Sequence, residues 1–318
     1  MKTLTIRKSA GWSGAGQFRT ILLSSDHIVL VGGVNPISGP RSSFRASAVS
    51  LDIQNAKKRW DVVVERSYSF RHSALHGQKL ILTIPHNFTR SFTGYLEVDV
   101  ANGLIESQYQ FDEGIVGAVS LGSKLFFGTA LRGIYRVFSC KNGERIEFPR
   151  FTDSRFWLEA IVGIANDTLV ISEFDHTLSE LIHIHSGFTQ NGEALWKVES
   201  SLLNIAPLGR RFLIWDGESA ASEVVDSSTG QLLSVIELAG SPLETPVAIG
   251  EYGFAYACPD CSIHIRSWDG EDQEIFRQPT SGSIALAYDN TRNILVAAFS
   301  GNNTDTNTQV SLFKLEGI

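Results

Sequence analysis

The stretch "VVDSSTGQLLSVIEL", Val224 to Leu238, places an Asp three residues before a Thr-Gly pair and follows the pair with an apolar run. An Asp in that position accepts the backbone N–H groups of a tight turn, while Gly adopts the left-handed conformation such a turn demands. The stretch therefore reads as two strands joined by a hairpin, with Leu232, Val235 and Leu238 expected to be buried in a sheet.

The hairpin recurs. A small residue ends a turn at Ala56, Gly103, Gly143, Gly192, Gly230, Gly270 and Gly317. Before it stand Asn55, Asn102, Asn142, Asn191, Thr229, Asp269 and Glu316. A second series runs out of phase, a turn followed by a short apolar strand, as in "SDHIVLVGG", "GSKLFFGTA" and "GRRFLIWDG". Its anchors are Ile28, Leu80, Leu125, Leu169, Phe212, Phe254 and Leu295, spaced by 52, 45, 44, 43, 42 and 41 residues. Helical periodicity is lacking, and one unit resolves into four strands: "IVGIA", "TLVISEF", "ELIHIHS" and "ALWKVES". Four strands at this period make the blade of a β-propeller.

The expected fold is all-β: a single seven-bladed β-propeller of four-stranded blades spanning residues 1–318. Residues 1–16 supply a closing outer strand and a linker, and 17–318 the seven repeats. The last unit ends at Ile318 with only three strands, and "KTLTIRK" at the N-terminus alternates as a fourth would. Pairing the two ends removes an exposed sheet edge. A miscount in the long first unit, Gln17 to Val64, leaves six or eight blades open.

Composition agrees with a globular chain, at 43% hydrophobic and 19% charged residues. No apolar run has the length of a signal peptide or membrane span, so a cytoplasmic protein without membrane contact is expected. Three cysteines, Cys140, Cys258 and Cys261, are too few for a disulfide framework. The net charge of −7 conceals a polarity. Residues 1–155 carry 20 Lys+Arg against 12 Asp+Glu, and residues 156–318 carry 7 against 22.

The opening stretch resembles the pyrroloquinoline-quinone repeat, roughly A-x-D-x-x-T-G-x-x-x-W. "VSLDIQNAKKRWDV" is similar through Asp52 and Trp60, "LEVDVANGLIESQY" through Asp99 and Gly103, and "QNGEALWKV" through Gly192 and Trp196. WD40 propellers are the competing resemblance, through Trp268-Asp269 at the end of "IHIRSWDG". The chain thus resembles the quinoprotein-like and WD40-like propeller superfamily, which implies a fold and not a chemistry. The calcium-binding acidic cluster and adjacent cysteine pair of quinoprotein dehydrogenases have no counterpart, and no cofactor is expected.

Other motifs carry little chemistry. His183 and His185 in "LIHIHSG" point the same way from one strand, with His176 near in sequence, but lack companion ligands, so no metal site is expected. The lone CxxC of Cys258 and Cys261 reads as a reduced surface turn between strands, with His264 a conceivable third ligand. "GWSGAG", Gly11 to Gly16, lacks the residues of a phosphate loop and reads as a linker into the first blade. No His/Asp set attaches to a particular Ser.

Function is sought in the loops joining second to third strands and one blade to the next, which share one face of a propeller. In the first half these loops gather Arg41, Phe44, Arg45, Arg66, Arg71, Phe88, Arg90, Arg132, Arg150 and Arg155. Arginine mixed with aromatics suits a protein-docking surface. The expectation is a non-enzymatic scaffold within a cytoplasmic multiprotein assembly, with protein partners. The alternatives are nucleic-acid or nucleotide binding through the same loops, and a small-ligand or hydrolytic enzyme with its site at the channel mouth.

Overall fold

Among the described residues, short apolar runs separated by turns give strands and no helix. The computed structural model describes residues 5–34, 45–64, 73–84, 94–131, 134–141, 144–147, 156–164, 167–175, 177, 182–278, 282–301 and 307–317. Strand β1 (Thr5–Ala15) stands apart from those that follow it. The first sheet is β2 (Gln17–Leu23), β3 (His27–Val34), β4 (Arg45–Asp52) and β5 (Lys58–Val64). The second is β6 (Ala74–His76), β7 (Lys79–Ile84), β8 (Gly94–Asp99) and β9 (Ile105–Gln110). The third is β10 (Gly114–Leu121), β11 (Lys124–Leu131), β12 (Ile134–Lys141) and β13 (Glu144–Glu147). The fourth is β14 (Phe156–Ile164), β15 (Thr168–Asp175), β16 (His183–Thr189) and β17 (Ala194–Ser200). The fifth is β18 (Asn204–Leu208), β19 (Arg211–Trp215), β20 (Ala221–Asp226) and β21 (Leu232–Glu237). The sixth is β22 (Val247–Ile249), β23 (Gly253–Ala257), β24 (Ser262–Ser267) and β25 (Asp272–Arg277). The seventh is β26 (Gly282–Asp289), β27 (Ile294–Gly301) and β28 (Asn307–Glu316), with β1 as its outer strand.

Strands follow one another through each sheet in chain order, β1 excepted. The chain has the fold of a seven-bladed β-propeller. It divides into two compact units: Met1–Phe70 with Val98–Ile105 and Ala239–Ile318, and Arg71–Glu97 with Glu106–Leu238. In the first unit, Ile28, Leu30 and Leu51 pack on Val296, Ala298 and Leu312, and Ile263 and Ile265 pack on Leu295 and Leu315. In the second, Phe126 and Val137 meet Ile161 and Leu169, while Val170 meets Phe212, Ile214 and Val225. Middle strands buried on both faces explain why "TLVIS" and "FAYA" read as unbroken apolar runs.

The N-terminal strand closes the last blade. β1 pairs with β28 from Thr5↔Glu316 to Ala15↔Asn307, with one irregularity between Lys8 and Ala10. The pairing runs further than expected: Gly11 to Ala15 lie within the strand, and only Gly16 links it to β2. The small residues of "GWSGAG" let the strand lie close to its neighbour, where a Cβ on Gly11 would come within 3.1 Å of the Val310 carbonyl.

The outer hairpins have the predicted construction. Asp226 Oδ1 accepts the Ser228 and Thr229 N–H groups at 2.9 Å each, and Gly230 follows at φ +70°. Asp52 and Asp99 repeat the arrangement before Ala56 (φ +57°) and Gly103 (φ +76°). Two tryptophans then dock on these turns. Trp60 Nε1 donates to the Val100 carbonyl at 2.8 Å within the first unit, and Trp196 Nε1 donates to Ser227 at 3.1 Å within the second. Each indole lies against the turn glycine, where a Cβ on Gly103 or Gly230 would fall within 3 Å of its ring atoms. One expectation fails here. Leu238 is buried, but Leu232 and Val235 are exposed, because they lie on an outermost strand with no blade covering that part of it.

Both Gly230→Ala and Gly270→Ala force a side chain into the left-handed region, at about 1–2 kcal/mol. A Cβ at Gly270 meets nothing, whereas one at Gly230 meets Trp196 at 2.9 Å. Chemical denaturation should therefore find Gly230→Ala the more damaging by at least ~1 kcal/mol. Equal losses would remove the indole from the account.

Candidate functional site

Every blade has two unlike ends. One carries the connections between first and second strands and, in all but the seventh blade, between third and fourth. The other carries the loops between second and third strands and the links to the next blade. In the second unit, this loop-bearing end of the second, third and fourth blades gathers the structure's aromatic and polar groups, and it is the candidate site.

Its first part is aromatic. Tyr95, at the start of β8, stacks on Tyr109 at 4.6 Å and on Phe127 at 4.7 Å. Phe111, in the link to β10, meets Phe127 and Phe138 edge-on, each at 5.3 Å. Tyr109 remains 38% exposed, so the cluster reaches from the core to the surface. Gly94 is required beside it: φ is +153°, and a Cβ would overlap the Tyr109 carbonyl oxygen. Next to the cluster, Glu113 accepts the buried Thr129 hydroxyl and lies 3.5 Å from Arg136, which also reaches Glu147 at 3.4 Å.

Its second part is the upper end of the fourth blade. Cross-strand partners Ser172 and His185 face the same side, and Ser172 Oγ lies 2.8 Å from His185 Nδ1. His183 Nδ1 lies 3.1 Å from Glu159 Oε2. Both rings are buried, contrary to a partly exposed histidine face. Burial holds His185 neutral, its pKa lowered to about 4. Glu173 faces the opposite side, also buried, and desolvation raises its carboxyl to about 7 despite the attraction of Lys197. No group of three His, Cys, Asp or Glu side chains suited to a metal occurs among the described residues. His183 and His185 have protein partners instead, and His176 lies outside the described residues.

Of the ten docking residues expected from the sequence, only Arg45 falls within the described ones. It opens β4 opposite Val34. Arg41, Phe44, Arg66, Arg71, Phe88, Arg90, Arg132, Arg150 and Arg155 lie outside them. The strand ends bracketing their segments do belong to the loop-bearing ends of their blades.

The first unit contains what the sequence concealed. In the sixth blade, Ser262 Oγ lies 3.0 Å from His264 Nε2, and His264 Nδ1 lies 3.1 Å from Asp272 Oδ1. This is the connectivity of a hydrolytic triad. Ser262 is fully buried, however, and donates its hydroxyl proton to Asp260 Oδ1 at 2.5 Å. Asp272 also accepts from Tyr256 at 2.5 Å and Arg266 at 3.3 Å. The network braces three strands and offers no carbonyl a path to Oγ. The alternation Ser262, Ile263, His264 placed both side chains on one face and was the available signal; Asp272, on the next strand, had none.

The same network accounts for His264, which is no companion to the cysteines. Cys258 and Cys261 are free but buried, not at the surface. Cys261 Sγ lies 3.9 Å from the Gly282 carbonyl and lines a cavity of about 90 Å³, whereas Cys258 Sγ is directed at Gly240. Burial pushes the Cys258 thiol up to about 11, the opposite of a reactive thiolate.

No protein-family model and no curated protein sequence matches the chain. Solved structures do. BamB from Moraxella catarrhalis, of the PQQ-like repeat type, is 18% identical, with 99% of each chain covered and a TM-score of 0.56. The Pan2 WD40 domain of Neurospora crassa is 9% identical, covering 96% of this chain and 95% of that one, at 0.69. Virginiamycin B lyase from Staphylococcus aureus is 10% identical, covering 97% and 99%, at 0.64. Both resemblances read from the sequence thus meet structural counterparts, and at these identities the likeness is one of fold.

Glu173 sets a pH dependence. Below about pH 4.5 the carboxyl is protonated whether the chain is folded or not. Between there and about pH 7 the unfolded chain ionises first, so stability falls as pH rises. Glu173→Gln removes the effect and should stabilise the protein at pH 8 by up to about 3 kcal/mol, with little gain at pH 4.5. Equal gains at both values would contradict this cause.

Proposed function

We propose that the chain is a non-enzymatic scaffold of a cytoplasmic assembly, and that it docks an acidic protein partner through the loop-bearing ends of its first-half blades. The carrying observation is positional. Segments 35–44, 65–72, 85–93, 132–133 and 148–155 each connect strand ends at the loop-bearing end of a blade, and these segments hold the arginines with Phe44 and Phe88, save Arg45, which opens β4 directly after the first. Arginine offers a planar fork for carboxylates, and aromatic rings add contact area at small entropic cost. The exposed edge of the Tyr95–Tyr109–Phe111 cluster gives such a contact a rigid base in the second unit.

The hairpin ends differ in kind. Their turns are short and closed on their own carboxylates, as at Asp52, Asp99 and Asp226. Variation in loop length and composition is concentrated at the other end, where propellers such as the WD40 domains it resembles have room for a binding surface.

Reversing Arg41, Arg45, Arg90 and Arg132 to Glu tests the reading. Affinity purification from the native host, with nuclease-treated lysate, should recover a protein partner with the wild type and lose it with the variant. The melting temperature should stay within about 2 °C. Retention by the variant, or loss of the partner on nuclease treatment alone, would overturn protein docking through these arginines.

A further inference from the structure

The outer strand of the fifth blade is an edge that the fold leaves unguarded. Among the described residues, β21 is hydrogen-bonded to β20 alone, in a register from Ala221↔Glu237 to Val225↔Leu232. Its free side presents backbone donors and acceptors to any extended chain. Leu232, Leu233 and Val235 are 51%, 48% and 63% exposed beside that edge.

Proteins ordinarily protect such edges with charge. Other outer strands carry two or more charges: Lys58, Arg59 and Asp61 in β5, Lys197 and Glu199 in β17, Asp272, Glu274 and Arg277 in β25, and Arg7 and Lys8 in β1. In β21 the sole charge is its last residue, Glu237. A long apolar edge retained without protection marks a place where another strand adds.

The surroundings define that strand. Within the same unit, from Phe212 to Leu238, the sequence contains no Lys or Arg and five Asp or Glu. The Leu238 N–H donates to the Ala220 carbonyl, which sets exposed Glu218 near the end of β21 that carries exposed Glu237. We infer that β21 accepts an extended basic segment of a partner protein, which alternates apolar side chains with Lys or Arg. Main-chain hydrogen bonds to the free edge supply affinity, the apolar residues cover Leu232, Leu233 and Val235, and the cations answer Glu218 and Glu237.

The test uses the full chain and two acetylated, amidated peptides, KVTITVKK and its charge-reversed twin EVTITVEE, each followed by fluorescence polarisation. The basic peptide should bind saturably and the acidic twin at least tenfold more weakly. Val235→Lys and Leu233→Ser should each reduce affinity for the basic peptide at least tenfold, with thermal melts confirming that both variants fold. Failure of the basic peptide to bind, or binding unchanged in both variants, overturns the inference. So does sedimentation showing a dimer that Val235→Lys dissociates, since a second copy would then occupy the edge.

Discussion

The outer hairpins of the first, second and fifth blades reverse the chain by setting one residue left-handed directly after a carboxylate has gathered the turn's N–H groups, and much else depends on that geometry. At Gly103 and Gly230 the lack of a Cβ also leaves a flat patch of backbone on which the indole of the preceding blade lies. Its N–H then reaches a turn carbonyl at Val100 or Ser227. The turn thus joins strands within a blade and aligns that blade with its neighbour. Where the tryptophan position holds another residue, other contacts serve. Ser107 and Ser234 stand where Trp60 stands relative to its Asp, and in the second unit the aromatic cluster around Tyr95 fills the seam after Ser107.

This constraint also governed how much could be read beforehand. The seven repeats, the four strands of each blade, the Asp-centred turns and closure by the N-terminal strand were legible, because each depends on residues close in sequence or on a period repeated along the chain. Side-chain exposure on the outermost strands was not. Leu232 and Val235 have the same alternation as buried strand residues, yet the radial position of a strand is fixed by its place in the blade. "GWSGAG" suggested a linker through its glycines, whereas in contact with β28 small residues continue a strand.

The aromatic cluster of the candidate site was not legible, since Tyr95, Tyr109 and Phe127 meet across strands and neighbouring blades. Arginine-rich segments could be placed at one end by counting strands, since second-to-third loops and blade links must leave together. That His183 and His185 are buried against Glu159 and Ser172 required knowledge of neighbouring strands. The Ser262–His264–Asp272 network is a sharper case. Two of its members alternate on one strand, but the third arrives from the next, and the buried hydroxyl turns a catalytic connectivity into a brace. Burial, rather than connectivity, separates the two.

The two chain halves therefore have different surfaces on one repeated scaffold, basic and aromatic loops in the first and an acidic sector with an apolar edge in the second. The central claim is that the loop-bearing ends of the first-half blades hold a protein partner. Hydrogen–deuterium exchange on the chain with and without its purified partner tests it most directly. The account predicts slowed exchange in peptides covering 35–44, 65–72, 85–93 and 148–155, with the turns at 52–57 and 99–104 unchanged. Protection confined to those turns, with the loop peptides unaffected, would contradict it.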